Sequence, residues 1–306
     1  MYQSLRGTIY ALIAGICWGF SGTVGQFLFS HTAIDSGWLT TVRLLVSGLI
    51  LLVMAAIQRP QSVTDVWKNR RDALQLVFFG IAGLMAVQYC YMEAIFYSDS
   101  GTATAVQYTG EAMLLVYTCI TARRLPKLRE FFGLVLALFG IFLLATHGSF
   151  SGLVLSPAGL FWGLTAAVAL MIYTASPCRL IEKYGSISIT AQGMLIGGLA
   201  LGLLLRIWNI PGAYTPEALA GIAAIVLIGT VLGFTIYLQA TVLIGPLKAG
   251  LIAAVETVSA PFFSRVWLKT PFQPVDYLGF LCILSMVFLI SLPELRKERA
   301  QAPQNS

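Results

Sequence analysis

The chain has 306 residues, of which 58% are hydrophobic and only 10% charged. Soluble domains carry about 25% charged residues because a water-facing surface needs them, so this composition excludes a soluble enzyme, a nucleic-acid-binding domain and a disordered chain. Lipid is left as the solvent, and the formal charge of +6 takes its meaning from where the basic residues fall.

A helix crosses the roughly 30 Å hydrocarbon layer in about 20 residues. Apolar runs separated by Gly, Pro and charge clusters predict spans at 8–29, 38–57, 73–97, 101–121, 129–146, 157–177, 187–206, 218–240, 246–267 and 276–292. The first run is too long for the core of a signal peptide and lacks a small-x-small cleavage site, so it is expected to stay as a span. Connections are short, the longest running from Gln58 to Asp72, and none has room for a soluble catalytic domain. Pro157 and Pro216 stand at helix starts, where a first-turn proline is at home. Pro261 falls inside the ninth span, where its missing N–H predicts a kink. Gly80, Gly83, Gly229 and Gly233 occupy the third and eighth spans, where they permit bending or close helix contact.

With the N terminus placed in the cytoplasm, every basic residue except Arg43, Arg206, Arg265 and Lys269 falls on the inner side. That is the positive-inside pattern, and it predicts that both termini are cytoplasmic. The basic balance is then topogenic, and nucleic acid is not an expected partner. Cys17, Cys90, Cys119, Cys178 and Cys282 sit in or at the ends of apolar runs without CxxC spacing, and His31 and His147 lie in short connections. Neither a metal site nor a cofactor is expected from them.

Comparison of the chain with itself reveals an ordered duplication at an offset of about 145 residues. Cys17-Trp18-Gly19-Phe20-Ser21 of the first span falls on Phe161-Trp162-Gly163-Leu164-Thr165 of the sixth. Arg43 to Gly48 falls on Gln192 to Gly197, Glu111 on Glu256, and Gly133 on Gly279. Each copy holds five spans, an odd number, so the second starts from the opposite side and the repeats are inverted. The expected fold is an all-α integral membrane protein of ten transmembrane helices in two inverted five-helix repeats, 1–147 and 155–293, with a cytoplasmic tail at 294–306. Inverted repeats are the build of many secondary carriers, whose substrate site lies between the halves near the midplane.

On these features the chain resembles the EamA family of the drug/metabolite transporter superfamily. The resemblance is carried by the five-plus-five organisation, the Trp18-Gly19 and Trp162-Gly163 segments, and the Arg43-x-x-x-x-Gly48 pattern. The compact segments from Gly80 to Arg124 and from Gly229 to Arg265, each with a glutamate in its second helix, complete it. The resemblance spans residues 8–292 and implies a ten-helix inner-membrane carrier of small organic solutes, commonly amino acids, other metabolites or drugs, often moved outward. One departure is Gln192 where the first half has Arg43, which makes the halves chemically unequal.

Charged groups cost a few kcal/mol at the centre of a membrane helix, so those present are functional candidates. Glu111 lies about ten residues into its span, near the midplane at 1.5 Å per residue, and Thr104, Gln107, Tyr108 and Glu111 form one polar stripe at helical spacing. Glu256 stands at a similar depth on a face with Ala249, Ala253 and Ala260, which suits either close packing or a cavity. If both glutamates reach the axis, one is a candidate proton carrier. Arg43 and Glu93 have matching depths from the outer side, which predicts an ion pair and an outer gate. Trp18, Trp162, Tyr89, Tyr108 and Tyr237 are expected to form one aromatic-walled pocket beside Glu111, suited to an ammonium group through cation–π contact.

The leading expectation is a secondary carrier, monomer or homodimer, that exports a small-molecule substrate, an amino acid or related metabolite, by alternating access between two five-helix halves. Proton coupling through a buried glutamate belongs to it. The second reading is a carrier of drugs or organic cations, by efflux or by choline-like uptake, suggested by aromatic rings beside a carboxylate. An intramembrane enzyme would need a reactive set such as HExxH, and no such set or nucleotide-binding GxxxxGK[ST] occurs.

Overall fold

A computed structural model describes residues 2–149, 152–212 and 214–301, and among the described residues there is no strand. The helices are α1 (Tyr2–His31), α2 (Ser36–Gln58), α3 (Pro60–Lys68), α4 (Arg70–Tyr97), α5 (Ser100–Tyr108), α6 (Gly110–Thr121), α7 (Leu128–Thr146), α8 (Pro157–Ala175), α9 (Cys178–Tyr184), α10 (Ser186–Leu205), α11 (Pro216–Ile244), α12 (Pro246–Ala253), α13 (Glu256–Trp267) and α14 (Pro274–Gln301). Their starts follow from local chemistry. Asp35 accepts from the Trp38 N–H at 2.9 Å to cap α2, Asp99 accepts from Thr102 at 2.8 Å to cap α5, and Ser156 accepts from Gly159 at 3.0 Å to cap α8. Pro157 and Pro216 occupy first turns, as expected.

Seven of these helices are long and apolar enough to cross a bilayer: α1, α2, α4, α7, α8, α10 and α11, with α14 carrying a shorter apolar stretch at Pro274–Ile290. The surface fits lipid. Ile57, Ile120, Leu138, Leu203 and Leu204 point outward, whereas Thr40, Ser47, Thr104 and Thr230 are wholly buried, the reverse of what a water-soluble core presents.

Three local features depart from the sequence expectation. The connection from Gln58 to Asp72 is helical, forming α3 and the first turn of α4. Pro60 starts α3, Trp67 Nε1 donates to Gln192 Oε1 at 2.6 Å, and the Ser188 hydroxyl donates to the Ser62 carbonyl at 2.9 Å, so docking on α10 supplies what an isolated nine-residue helix lacks. The segments expected as fourth and ninth spans are each divided, α5 from α6 at Thr109 and α12 from α13 at Ala254 and Val255. Finally, α4 and α11 each contain a π-helical turn, Phe79–Met85 and Ile225–Leu232, at repeat-related positions.

The duplication is visible in detail at the chain's turns. Glu130 accepts from the Lys127 N–H at 2.8 Å and Asp276 from the Gln273 N–H at 2.8 Å, one cap in each copy. Arg123 (φ 49°) and Lys269 (φ 57°) take the same left-handed conformation after α6 and α13.

The two sequence halves nevertheless do not pack as two bodies. α1 packs against α11, α12 and α13 of the second half, and α8 packs against α4, α5 and α6 of the first. α2 pairs with α10 and α7 with α14, each helix beside its own repeat partner. The packing units are thus exchanged between the two sequence repeats.

At the end that gathers the basic residues, Asp72 is buried and accepts from Arg179, from Lys183 Nζ at 2.8 Å and from the Tyr184 hydroxyl at 2.8 Å. The hydrogen bond to Asp72 raises the Lys183 ammonium above the ordinary lysine value. At the opposite end, Gln26 accepts from the Ser100 N–H at 3.0 Å and the Ser264 hydroxyl at 2.8 Å and donates to Thr270 Oγ1 at 3.0 Å, and His147 Nε2 meets Asp276 at 3.0 Å.

Candidate functional site

The helix breaks place the site. At the first, both the N–H and the hydroxyl of Thr109 turn back to the Val106 carbonyl, at 3.1 and 2.6 Å, and Gly110 follows. At the second, the Val255 N–H reaches Ile252 at 3.1 Å, and the N–H and hydroxyl of Thr257 reach Ala254 at 3.0 and 2.8 Å. Three-residue bonds tighten the turn, and a threonine hydroxyl competing for a carbonyl interrupts the regular ladder. Each break therefore begins a new helix next to a glutamate, Glu111 in the first turn of α6 and Glu256 in the first turn of α13.

The two breaks face each other. The Tyr108 hydroxyl, at the end of α5, donates to Glu256 Oε2 at 3.0 Å. Glu111 lies within electrostatic reach of Tyr108 and of Tyr237 on α11. Tyr237 packs on Trp18 with ring centroids 5.1 Å apart, and Phe234 packs on the same indole at 5.3 Å. Tyr108, Tyr237, Trp18, Glu111 and Glu256 thus share one neighbourhood. The stripe expected along one continuous helix is divided at Thr109: Thr104 hydrogen-bonds the Tyr91 hydroxyl at 2.8 Å, Gln107 is buried on α5, and Glu111 belongs to the next helix.

Arg43 enters the same neighbourhood from α2. It is 4% exposed, its Nε donates to Thr230 Oγ1 at 3.0 Å, and Glu256 and Tyr91 lie within its electrostatic reach. The expected Arg43–Glu93 pair is not formed. Glu93 instead accepts from the Ser36 hydroxyl at 2.5 Å, seven residues and so about 10 Å up α2 from Arg43 at 1.5 Å per residue. The predicted end at Tyr97 agrees with α4, but α2 begins at Ser36, two residues before the predicted start, and Glu93 meets this first turn.

The single aromatic pocket is corrected as well. Trp162 packs on Tyr89 at 5.6 Å and on Phe161 at 5.3 Å, and Tyr89 lies beside Glu93. These form a second cluster, related to the Trp18 cluster by the pseudo-twofold. The exchange of packing units explains the split, since each tryptophan meets the other copy's helix.

Sequence reasoning missed Ser21, Ser47 and Thr230, which complete the surroundings of Arg43. The signal was present in spacing: Ser47 follows Arg43 by four residues and Ser21 follows Trp18 by three, so each shares a helix face with the residue already singled out. Gln192, the counterpart of Arg43, accepts from Trp67 and donates to Ser188 Oγ at 3.1 Å.

Apolar helices of membrane-crossing length, inverted sequence repeats and broken helices that bring carboxylates together define a polytopic membrane transporter. The EamA-like transporter family model matches residues 5–146 and 157–292, and the chain belongs to that family. The chain is 35% identical over 303 residues to an uncharacterized inner membrane transporter, YicL, of Salmonella typhimurium, covering 98% of this chain and 100% of that protein. It is 21% identical to an uncharacterized transporter of Methanothermobacter thermautotrophicus, covering 94% and 87% of the two chains. An uncharacterized Bacillus subtilis transporter, YcbK, is also 21% identical, covering 96% and 95%. One solved crystal structure superposes with a TM-score of 0.62 at 15% identity, covering 97% of this chain and 99% of that one, and this likeness concerns the fold.

Proposed function

We propose that the protein is a ten-span secondary carrier of the inner membrane, with both termini cytoplasmic, that exports amino acids or related metabolites by alternating access in exchange for protons. The observation that carries this reading is the contact between the two helix breaks, where Tyr108 of one copy donates to Glu256 of the other. Broken helices at membrane depth are tolerated where they are buried in protein or line a water-filled cavity, and in carriers they form the substrate site. Beyond the breaks the chain diverges toward the basic end, α6 packing on α8 and α12 on α1. The pseudo-twofold supplies the alternative arrangement in which the other ends diverge. Tyr108, Tyr237 and Trp18 around Glu111 and Glu256 suit an ammonium group, and a carboxyl that exchanges its proton for that group couples the two movements.

The test is exchange in reconstituted vesicles. Protein in liposomes preloaded with a mixture of unlabelled amino acids should accumulate at least one labelled amino acid from outside, respond to an imposed pH gradient, and lose both properties in Glu111→Gln. Accumulation no greater than in empty liposomes for every amino acid refutes the substrate class. Exchange indifferent to pH and to Glu111→Gln removes proton coupling.

A further inference from the structure

We propose that Arg43, Ser47, Ser21 and Trp18 form an oxyanion subsite that holds the carboxylate of the transported solute against the π-turn of α11; this rests on the amino-acid reading above and gives it an orientation. A buried charge requires a partner. Arg43 is 4% exposed, among the described residues no carboxylate forms an ion pair with it and Glu256 acts on it only at longer range, its Nε is used by Thr230, and its Nη1 has no hydrogen-bond partner. One turn further along α2, the Ser47 hydroxyl is 0% exposed and also has none. On α1 the same holds for the Ser21 hydroxyl, 1% exposed, and for Trp18 Nε1.

Three of these groups meet at the π-turn of α11, and Ser47 lies one helical turn from Arg43 on α2. Thr230, which receives Arg43, adjoins Gly229 in the π-turn, and a Cβ at Gly229 would overlap the Ser21 side chain. Three residues past Thr230, a Cβ at Gly233 would stand 2.9 Å from Trp18 Nε1. Unpartnered buried polar side-chain atoms are rare in folded proteins. Among the described residues the remaining one is Ser176 Oγ, on the connection after α8.

The donor set decides the ligand. Guanidinium and indole N–H groups only donate, and serine hydroxyls donate as readily as they accept. Such a group calls for an acceptor, and the arginine charge makes an anion the strongest one. A quaternary ammonium compound has nothing to satisfy there. The arrangement occurs once among the described residues, because Gln192 at the equivalent place is already bonded to Trp67 and Ser188. With the carboxylate at Arg43, the α-ammonium group on the same carbon is directed to Glu256, which lies within the electrostatic reach of Arg43 and accepts from Tyr108.

The experiment is a thermal-stabilisation titration of the purified full-length protein with the common L-amino acids, each as free acid, primary amide and decarboxylated amine. At least one free acid should stabilise the wild type, with its amide and amine binding at least about tenfold more weakly, the value of one charge-assisted hydrogen bond. Arg43→Gln should bring the acid to the affinity of its amide and leave the amide unchanged, with Arg43→Lys between them. Should Arg43→Gln fail to fold, Ser47→Ala and Trp18→Phe must each narrow the gap between acid and amide. Equal binding of acid and amide, equal loss of both in the variants, or stabilisation by no free acid overturns the subsite. Arg43-dependent binding of isovalerate, a carboxylate without an amine, equal to that of leucine would keep the subsite and refute the amino-acid reading.

Discussion

The hydrogen bond from Tyr108 to Glu256 is the direct link between the two helix breaks, and its strength can be measured. At 3.0 Å, with the carboxyl buried, a bond to a charged acceptor contributes about 1.5–3 kcal/mol and a neutral one about 1 kcal/mol. Tyr108→Phe removes the donor, Glu256→Ala the acceptor, and Glu256→Gln keeps an acceptor without charge. A double-mutant cycle of Tyr108→Phe with Glu256→Ala, read by equilibrium unfolding in mixed micelles, should therefore give a coupling of about 1.5–3 kcal/mol. The cycle with Glu256→Gln should give a smaller coupling, reduced by about 1 kcal/mol, because the glutamine can still accept a neutral bond. The same energy biases the carrier: separating α5 from α13 breaks the bond, so its loss should favour the separated arrangement by roughly 10- to 100-fold. Additivity within about 0.5 kcal/mol would refute the reasoning.

Three further outcomes follow from the packing. Gly229→Ala places a methyl group inside the Ser21 side chain, so it should cost about 1–3 kcal/mol as an overpacked site, and Ser21→Gly in the same chain should recover most of the loss; a stable Gly229→Ala single variant counts against the contact. Asp72→Asn should lower the unfolding midpoint more than Arg179→Gln or Lys183→Gln, since Asp72 is buried while those two partners are half-exposed; equal effects would mean that the cluster is solvated. Lys269→Gly should stabilise by about 1 kcal/mol, because a non-glycine residue in the left-handed region is strained and Lys269 has φ 57°; a lowered midpoint would mean that its side chain makes a contact worth more than the strain.

Hydropathy and charge revealed the lipid solvent, the helical segments and the duplication, because those depend on composition averaged over twenty residues. Features set by one or two bonds were less visible. The break at Thr109 carried a hint in the Thr109-Gly110 pair, but Ala253-Ala254-Val255 contains no residue that disfavours a helix, and its break depends on packing. The π-turns have no signature beyond the glycines near them. The Arg43–Glu93 expectation failed although the predicted start of α2 and end of α4 lie within two residues of the observed ones, because equal depth does not show which neighbour a side chain meets. The exchange of α1 and α8 between copies was illegible in principle, since self-similarity shows that two segments have equal shape and not which neighbour each will meet. Trp18 and Glu111 were found because lipid penalises them; Ser21 and Ser47 were overlooked because a hydroxyl satisfied by its own helix is unremarkable in sequence, and only the structure shows these two unsatisfied.

The backbone symmetry and the chemical asymmetry have separate consequences. In the proposed cycle, two copies with matching breaks, π-turns and caps are what would supply two related conformations of comparable energy. If the lining were equally symmetric, a solute would bind equally well in two opposed orientations, one in each half. Arg43 against Gln192 removes that degeneracy, because one carries an unpartnered donor and the other is held by Trp67 of the opposite repeat and by Ser188. On the proposed reading, a solute carrying a carboxylate and an ammonium group is held in one orientation, its carboxylate toward α2 and the π-turn of α11. The few polar groups that lipid should have excluded then have two distinct tasks: the glutamates at the breaks answer to the movement, and Arg43 sets which way round the solute travels.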